Sequence, residues 1–243
     1  MSSSNSHRGL GAVLTTLVTL AMVGWPGPAA VPTAHAEELA TTPAAISGTS
    51  PDGLGAWTVN YQRVAGGDPA LTTAINDIID AKAMEGVQRA TWDGSTKRPW
   101  TYDADGKLFF GPITVSELFT SQYNTAEPNM PMQSVAGVVC DRRSGAPITW
   151  ENVFVDKRAG LSRLGDVTAE TMTAAAPPDR VRDWRRQGAF APLDINFKAW
   201  TPSPGGIDLH FPEFQFGRGL KVVTVPWAKL ADLVRPEFAN LTG

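Results

Sequence analysis

Asp68-Pro69-Ala70-Leu71-Thr72-Thr73-Ala74-Ile75-Asn76-Asp77-Ile78-Ile79 is the best-marked segment of the chain. Asp68 is a good helix N-cap, and Pro69 stands at the first helical position, where its missing N–H costs nothing. Leu71, Ile75, Ile78 and Ile79 then share one apolar face. The spacing predicts a helix from Asp68 to about Glu85-Gly86. Just before it the period changes. Trp57, Val59 and Tyr61 alternate with Thr58, Asn60 and Gln62, the pattern of a half-buried strand.

Downstream, Asp93 to Gly106 is rich in turn residues, and Asp105-Gly106 is a hairpin signal. Strands are expected from Lys107 to Tyr123, broken near Gly111-Pro112, and from Met132 to Asp141. Ser144-Gly145 turns the chain, and Ile148 to Phe154 reads as a short strand leading into a helical turn. Leu161 to Ala176 has helical composition and ends at Pro177-Pro178. A further helix is expected from Asp179 to Gln187. Three strands follow, on Leu193-Ile195-Phe197, on Ile207-Leu209-Phe211 and from Leu220 to Val225. Pro204-Gly205-Gly206 and Gly217-Arg218-Gly219 supply the turns between them. A final helix starts at Pro226. This order predicts an α+β fold with a mostly antiparallel sheet in a single domain.

Upstream, the chain begins with a polar stretch ending at Arg8, followed by an apolar run from Leu10 to Trp25. Pro26-Gly27-Pro28 and the small-residue site Ala34-His35-Ala36 come next. That order is the pattern of a secretory signal. A Sec-type signal peptide over 1–36, cleaved after Ala36, is therefore expected, with the protein secreted. The apolar run is shorter than the roughly 20 residues of a membrane span. Residues 37–55 are mostly Ala, Thr, Ser, Pro and Gly with little to bury, which predicts a flexible linker. The folded domain is expected over 56–243.

The chain carries a formal net charge of −3, and loss of 1–36 makes it one unit more negative. A mildly acidic protein is not built for general nucleic-acid or anionic-membrane binding. Arg180, Arg182, Arg185 and Arg186 are interleaved with Asp179, Val181, Asp183 and Trp184. They read as a solvated helix with one buried stripe, against a phosphate or acidic-polymer site. Cys140 is the only cysteine, so no internal disulfide forms. It reads as a buried small hydrophobe in a strand, against a reactive thiol.

Metal sites need clusters of His, Cys, Asp or Glu. His210 is the only histidine beyond residue 36, and neither HExxH nor CxxC occurs, so no metal and no cofactor is expected. A G-x-S-x-G elbow is missing as well. His210 stands out of phase with Leu209 and Phe211, on the face away from them. Glu117, Glu151 and Glu213 lie near apolar neighbours and are expected to be exposed or capping. The sequence therefore assigns no catalytic residue. Trp92, Trp100 and Tyr102 are core residues or, where exposed, a platform for sugar rings or a protein. With His210 they form the expected ligand-binding set.

Gly206-Ile207-Asp208-Leu209-His210-Phe211 through Gly219, then Val222-Val223-Thr224-Val225-Pro226-Trp227-Ala228-Lys229-Leu230, resembles a known closing signature. Val138 to Thr149 and Asn152-Val153-Phe154 agree with it, as does Asp68 to Ile79 with Ala74-Ile75-Asn76. The family is that of the RsiV extracellular domain and the mycobacterial secreted immunogenic proteins. The resemblance covers most of Ala56 to Val234. It implies a grasp-like fold of helices on a curved, mostly antiparallel sheet. The family has no agreed catalytic residues, so none is carried over. The implied role is binding, since the RsiV domain is a receptor for lysozyme. The sigma-binding segment and lasting membrane helix of RsiV have no counterpart here, so sigma-factor regulation is not expected.

The resulting expectation is a secreted, monomeric, non-enzymatic binding protein of a high-GC, actinobacterial-type envelope or medium. Its partner would be an extracellular protein or a cell-wall glycan. The alternative is a secreted hydrolase, either an esterase or a glycan-acting enzyme, that uses His210 or a carboxylate pair.

Overall fold

The computed structural model describes residues 38–242, and the signal expected over 1–36 lies outside them. Five strands form one sheet in the order β1-β2-β3-β4-β5. They are β1 (Ala40–Thr49), β2 (Gly55–Ala65), β3 (Trp100–Phe110), β4 (Thr114–Thr125) and β5 (Met132–Asp141). Neighbours pair antiparallel except β2 and β3, which are parallel. A parallel pair needs a long crossover, and α1 (Pro69–Asp93) supplies it. A second sheet holds β6 (Ala199–Ser203), β7 (Gly206–Phe211) and β8 (Lys221–Pro226), all antiparallel. Helices α2 (Trp150–Val153), α3 (Lys157–Ala175) and α4 (Pro178–Arg186) lie between the sheets in sequence. The α+β class and the mostly antiparallel pairing are as the sequence predicts.

The predicted linker is a strand instead. Ala40 to Thr49 pairs with β2 along its whole length, from Ala40 opposite Ala65 to Thr49 opposite Ala56. Its side chains are small and mostly exposed, with Ile46 the one large apolar residue. Main-chain pairing holds this strand, and composition does not register that. The hairpin is closed by Ser50, whose Oγ accepts from Gly55 N–H at 2.7 Å.

Asp68 caps α1 as expected, accepting from the N–H of Ala70 and of Leu71. The helix runs past Gly86 to Asp93, because Val87 and Ala90 continue the buried stripe of Ile75, Ile79 and Ala83. Gly86 serves a close approach, since a Cβ there would meet the Tyr102 hydroxyl at 2.5 Å. Buried Asn76 fastens the helix to the sheet. Its amide accepts from Val64 N–H at 2.8 Å and donates to Val64 C=O at 3.0 Å.

Asp105-Gly106 does not turn the chain. It lies in the middle of β3, and the hairpin is made at Gly111. The pairing of β2 with β3 stops at Asn60 opposite Asp105. Beyond that point side chains close the gap. Glu117 on β4 reaches over Gly106 so that its Oε1 accepts from Gln62 N–H at 3.1 Å. Gln62 Oε1 in turn accepts from Leu108 N–H at 2.8 Å. A Cβ at position 106 would collide with Glu117 Oε1 and approach Tyr61 Cβ to 2.8 Å. Glycine is thus required there by the crossing carboxyl.

Two cores result. One fills the space between α1 and the sheet, with Val59, Ile75, Ile79, Phe119 and Val138. The other gathers Phe154, Leu164, Ile207, Leu209 and Val225 around the second sheet. β5 belongs to both, since Val138 and Cys140 face the first core and Val139 the second. Two further elements differ from expectation. Residues 194–197 are a 3-10 turn that leaves Leu193 and Ile195 exposed, and β6 begins later, at Ala199. After Pro226 the chain makes the 3-10 turns Trp227–Lys229 and Pro236–Thr242 in place of an α-helix. Helix α4 buries Val181 and Trp184, as its stripe predicts.

Cys140 is 1% exposed and free, and burial pushes its thiol up to about 12. The thiolate is the reactive form. A maleimide is therefore expected to leave the native protein unlabelled at pH 7.5 and to label it fully in denaturant, as read by intact mass. Rapid native labelling would contradict this placement.

Candidate functional site

A cleft of about 1210 Å³ opens between α1 and the segments 147–157 and 194–200. Its floor comes from β3, β4 and β5. The pleat decides which side chains reach it. Tyr102, Ser121 and Ser134 project to the α1 side, because Tyr102 pairs with Tyr123, and Ser121 with Ser134 across β4 and β5. The two serine hydroxyls lie 2.6 Å apart. Burial holds the Tyr102 phenol above its usual range, and a hydrogen bond with Ser121 partly opposes this. The floor is therefore a short line of mutually bonded hydroxyls set among Ile78, Ala90, Ala136 and Val138.

The opposite wall is aromatic. Trp150 stacks on Trp200 at 4.7 Å between ring centroids and on Phe154 at 5.7 Å. The Trp150 Nε1–H donates to Phe197 C=O at 2.9 Å, which fixes the ring. Ile195, 63% exposed, stands at the rim. Most of the rim charges pair with one another. Lys82 meets Glu85 at 2.6 Å, Arg89 meets Asp93 at 3.9 Å, and Lys157 bridges Glu151 at 3.0 Å and Asp194 at 2.8 Å. Lys157 is held above its ordinary value by Asp194 first and then Glu151.

The four residues proposed from sequence do not assemble. Tyr102 alone lines the cleft. Trp92 is 89% exposed and lies outside it. Trp100 is 3% exposed and packs against Tyr123 at 5.7 Å in the core, so it offers no platform. His210 lies on β7, out of phase with buried Leu209 and Phe211 as expected. It borders a separate recess of about 100 Å³. Its Nε2 is 2.9 Å from Thr201 Oγ1. Burial lowers its pKa, with Asp208 opposing, so the ring is neutral at pH 7.

The three glutamates divide as well. Glu151 is an exposed ion-pair partner, and Glu213 accepts main-chain N–H bonds from Gln133 and Gly219. Glu117 departs from expectation. It is 0% exposed, its Oε2 has no partner among the described residues, and burial pushes its pKa up to about 7. Among the described residues no group of three or more His, Cys, Asp or Glu is placed to hold a metal ion. No helix among them is long and apolar enough to cross a membrane.

The sequence reading did not point to Ser121, Ser134, Trp150 or Trp200. Ser121 and Ser134 are small polar residues inside strands, and Trp150 and Trp200 are single aromatics with no motif around them. The pairing of β4 with β5 turns Ser121 and Ser134 toward the cavity, and the stacking of Trp150 on α2 against Trp200 on β6 forms its opposite wall.

No family model and no curated protein matches this chain. Solved structures that resemble it in fold include two DUF3298 proteins. One is a DUF3298 family protein from Pseudomonas aeruginosa PAO1, 15% identical, with a TM-score of 0.53 over 85% of this chain and 97% of that one. The other is a member of the same family from Bacteroides fragilis, 10% identical, with a TM-score of 0.57 over 84% and 96%. At these identities the likeness is one of fold: a five-stranded sheet with helices packed on it, as in DUF3298 domains.

Proposed function

We propose that this chain is an exported binding protein of the bacterial envelope or its surroundings, and that the cleft beside β5 holds its ligand. The observation that carries this reading is the cleft itself. At about 1210 Å³ it exceeds the roughly 300–1,000 Å³ of ordinary small-molecule pockets. It combines apolar walls with a few convergent hydroxyls, the usual composition of a recognition site. Its titratable residues are largely engaged with one another, and no histidine or cysteine is among those lining it. Nucleophilic chemistry needs a base beside the nucleophile. The imidazole of the hydrolase alternative lies on β7, bonded to Thr201 and outside the cleft. The resemblance to the RsiV extracellular domain supplies the ligand class, an extracellular protein or wall glycan. Export rests on the sequence pattern of 1–36.

The test is titration of the full chain with envelope fractions and with a purified muramidase. Saturable binding is expected, and Ile195→Glu is expected to weaken it by about tenfold while leaving the fold intact. An exposed residue tolerates the change, but a charge at an apolar contact does not. Uniform absence of binding, or binding indifferent to Ile195→Glu, would count against this site.

A further inference from the structure

β5 is the last strand of its sheet, so one side of its main chain has no strand partner. In an antiparallel pair, successive residues aim their N–H and C=O alternately toward the partner and away from it. Ile148 N–H reaches Val139 C=O at 2.7 Å, and Glu213 N–H reaches Gln133 C=O at 3.1 Å. Both come from the side opposite β4. The odd-numbered residues of β5 therefore present their main-chain groups outward. Segments 147–148 and 213 clip the two ends of this edge. Between the clips stand Val135 and Gly137, which both line the cleft. Among the described residues, nothing bonds the outward N–H or C=O of either. The cleft thus contains two main-chain donors and two acceptors in strand geometry.

We infer that the cleft takes an extended, uncharged polypeptide segment, which adds to β5 as a sixth strand by pairing with Val135 and Gly137. The inference rests on the reading of the cleft as the ligand site and specifies what occupies it. Open sheet edges recruit strands, and alternate side chains of the added strand then supply specificity. One set would face Ile78 and Ala90 on α1, and the other would face Ile195 and Trp200. An added strand lies about 4.8 Å from its neighbour. Walls on both sides of β5, from α1 and from residues 194–200, hold off the sheet of a second copy. With Lys198, the rim carries as many cations as anions, so it does not select a charged segment. A glycan could use the hydroxyl floor, but it has no repeat of donors and acceptors matched to a strand edge.

The probe is a library of end-capped peptides of about six residues, the usual strand length, drawn from Ala, Val, Ile, Thr, Ser and Gln. It is offered to the full chain. Amide exchange is expected to slow at Val135 and Gly137 when a peptide binds. Val135→Ala keeps the main-chain donor, whereas Val135→Pro removes it on the side away from β4, a position where an edge strand tolerates proline. Val135→Pro is expected to weaken binding by roughly tenfold beyond Val135→Ala. Where Val135→Pro impairs folding, N-methylation of the peptide gives the same reading on the native protein. Methyl groups on one alternate set of amides should abolish binding, and those on the other set should not.

Peptide binding with equal affinity for both variants, unchanged exchange at Val135 and Gly137, and no phase in the methylation pattern would overturn strand addition. That outcome would leave the cleft as a binding site. Capture of wall glycan oligomers with no peptide bound would overturn it in the same way. If nothing perturbs any cleft residue, the reading of the cleft itself fails as well.

Discussion

Stability is expected to fall by about 3 kcal/mol as pH rises from about 4.5 to about 8, and Glu117→Gln is expected to remove most of that fall. The carboxyl is fully buried, and burial is the leading cause that lifts its pKa from 4.5 to about 7. Its bond from Gln62 N–H acts in the opposite direction and is outweighed. The sign follows from proton counting. Below about 4.5 the group is protonated in both states and costs nothing. Between about 4.5 and 7 the folded chain holds a proton that the unfolded chain releases, so stability declines as pH rises. Above 7 the folded state carries an ionised carboxylate whose Oε2 has no partner among the described residues. His210, with its lowered pKa, acts the other way, since folding gains as pH rises through its window. The difference between wild type and Glu117→Gln therefore isolates the carboxyl. Urea unfolding from pH 4.5 to 8 measures it. Parallel pH profiles for the two proteins would show that Glu117 does not carry a buried charge.

That same residue shows where the sequence is legible and where it is not. Local signals were sufficient for the start of α1, where Asp68 and Pro69 leave little choice, and for β5, whose limits Met132 and Asp141 are as read. The alternation of Ile207, Leu209 and Phe211 likewise placed β7. The readings that failed depend on partners distant in sequence. Asp105-Gly106 has the composition of a turn, but its glycine answers to Glu117, which crosses β3 from the next strand. Ala40 to Thr49 has no apolar period, and its order comes from the hydrogen bonds of β2. The parallel pairing of β2 with β3 is a property of the α1 crossover that neither strand encodes. For the site, Tyr102 was found because aromatics are conspicuous. Ser134 is not conspicuous, because it reaches Ser121 only through the pairing of β4 with β5, and Val135 is not, because its role follows from β5 being an edge strand. Trp100 failed as a ligand platform for the same reason that Tyr102 succeeded only in part. Both face α1, and the helix covers one and leaves the other at the margin of the cleft.

Phe154→Ala is expected to destabilise the domain by about 4 kcal/mol, a loss of roughly 10 °C in Tm, and to weaken ligand binding at temperatures where the variant is still folded. The ring is fully buried, so its removal costs both transfer energy and a cavity. Its main chain is fixed independently, with Phe154 C=O accepting from Arg235 Nε–H at 3.0 Å and Arg235 N–H donating to Val153 C=O at 2.9 Å. Those bonds limit how far the site can collapse, which puts the cost toward the upper end of the usual range. The second consequence runs through Trp150. That indole is stacked between Phe154 and Trp200, nearly parallel to the phenyl ring at 8°. Without Phe154, one face of Trp150 loses its support, and the aromatic wall of the cleft loses its fixed position. Trp92→Ala is the control, since an indole 89% exposed and outside the cleft should change stability by less than about 0.5 kcal/mol and leave binding unaltered. Thermal unfolding followed by titration at a common folded fraction separates the two effects. A Phe154→Ala protein that is destabilised yet binds with wild-type affinity would show that the Trp150 wall takes no part in recognition. The ligand would then have to be held by β5 and α1 alone.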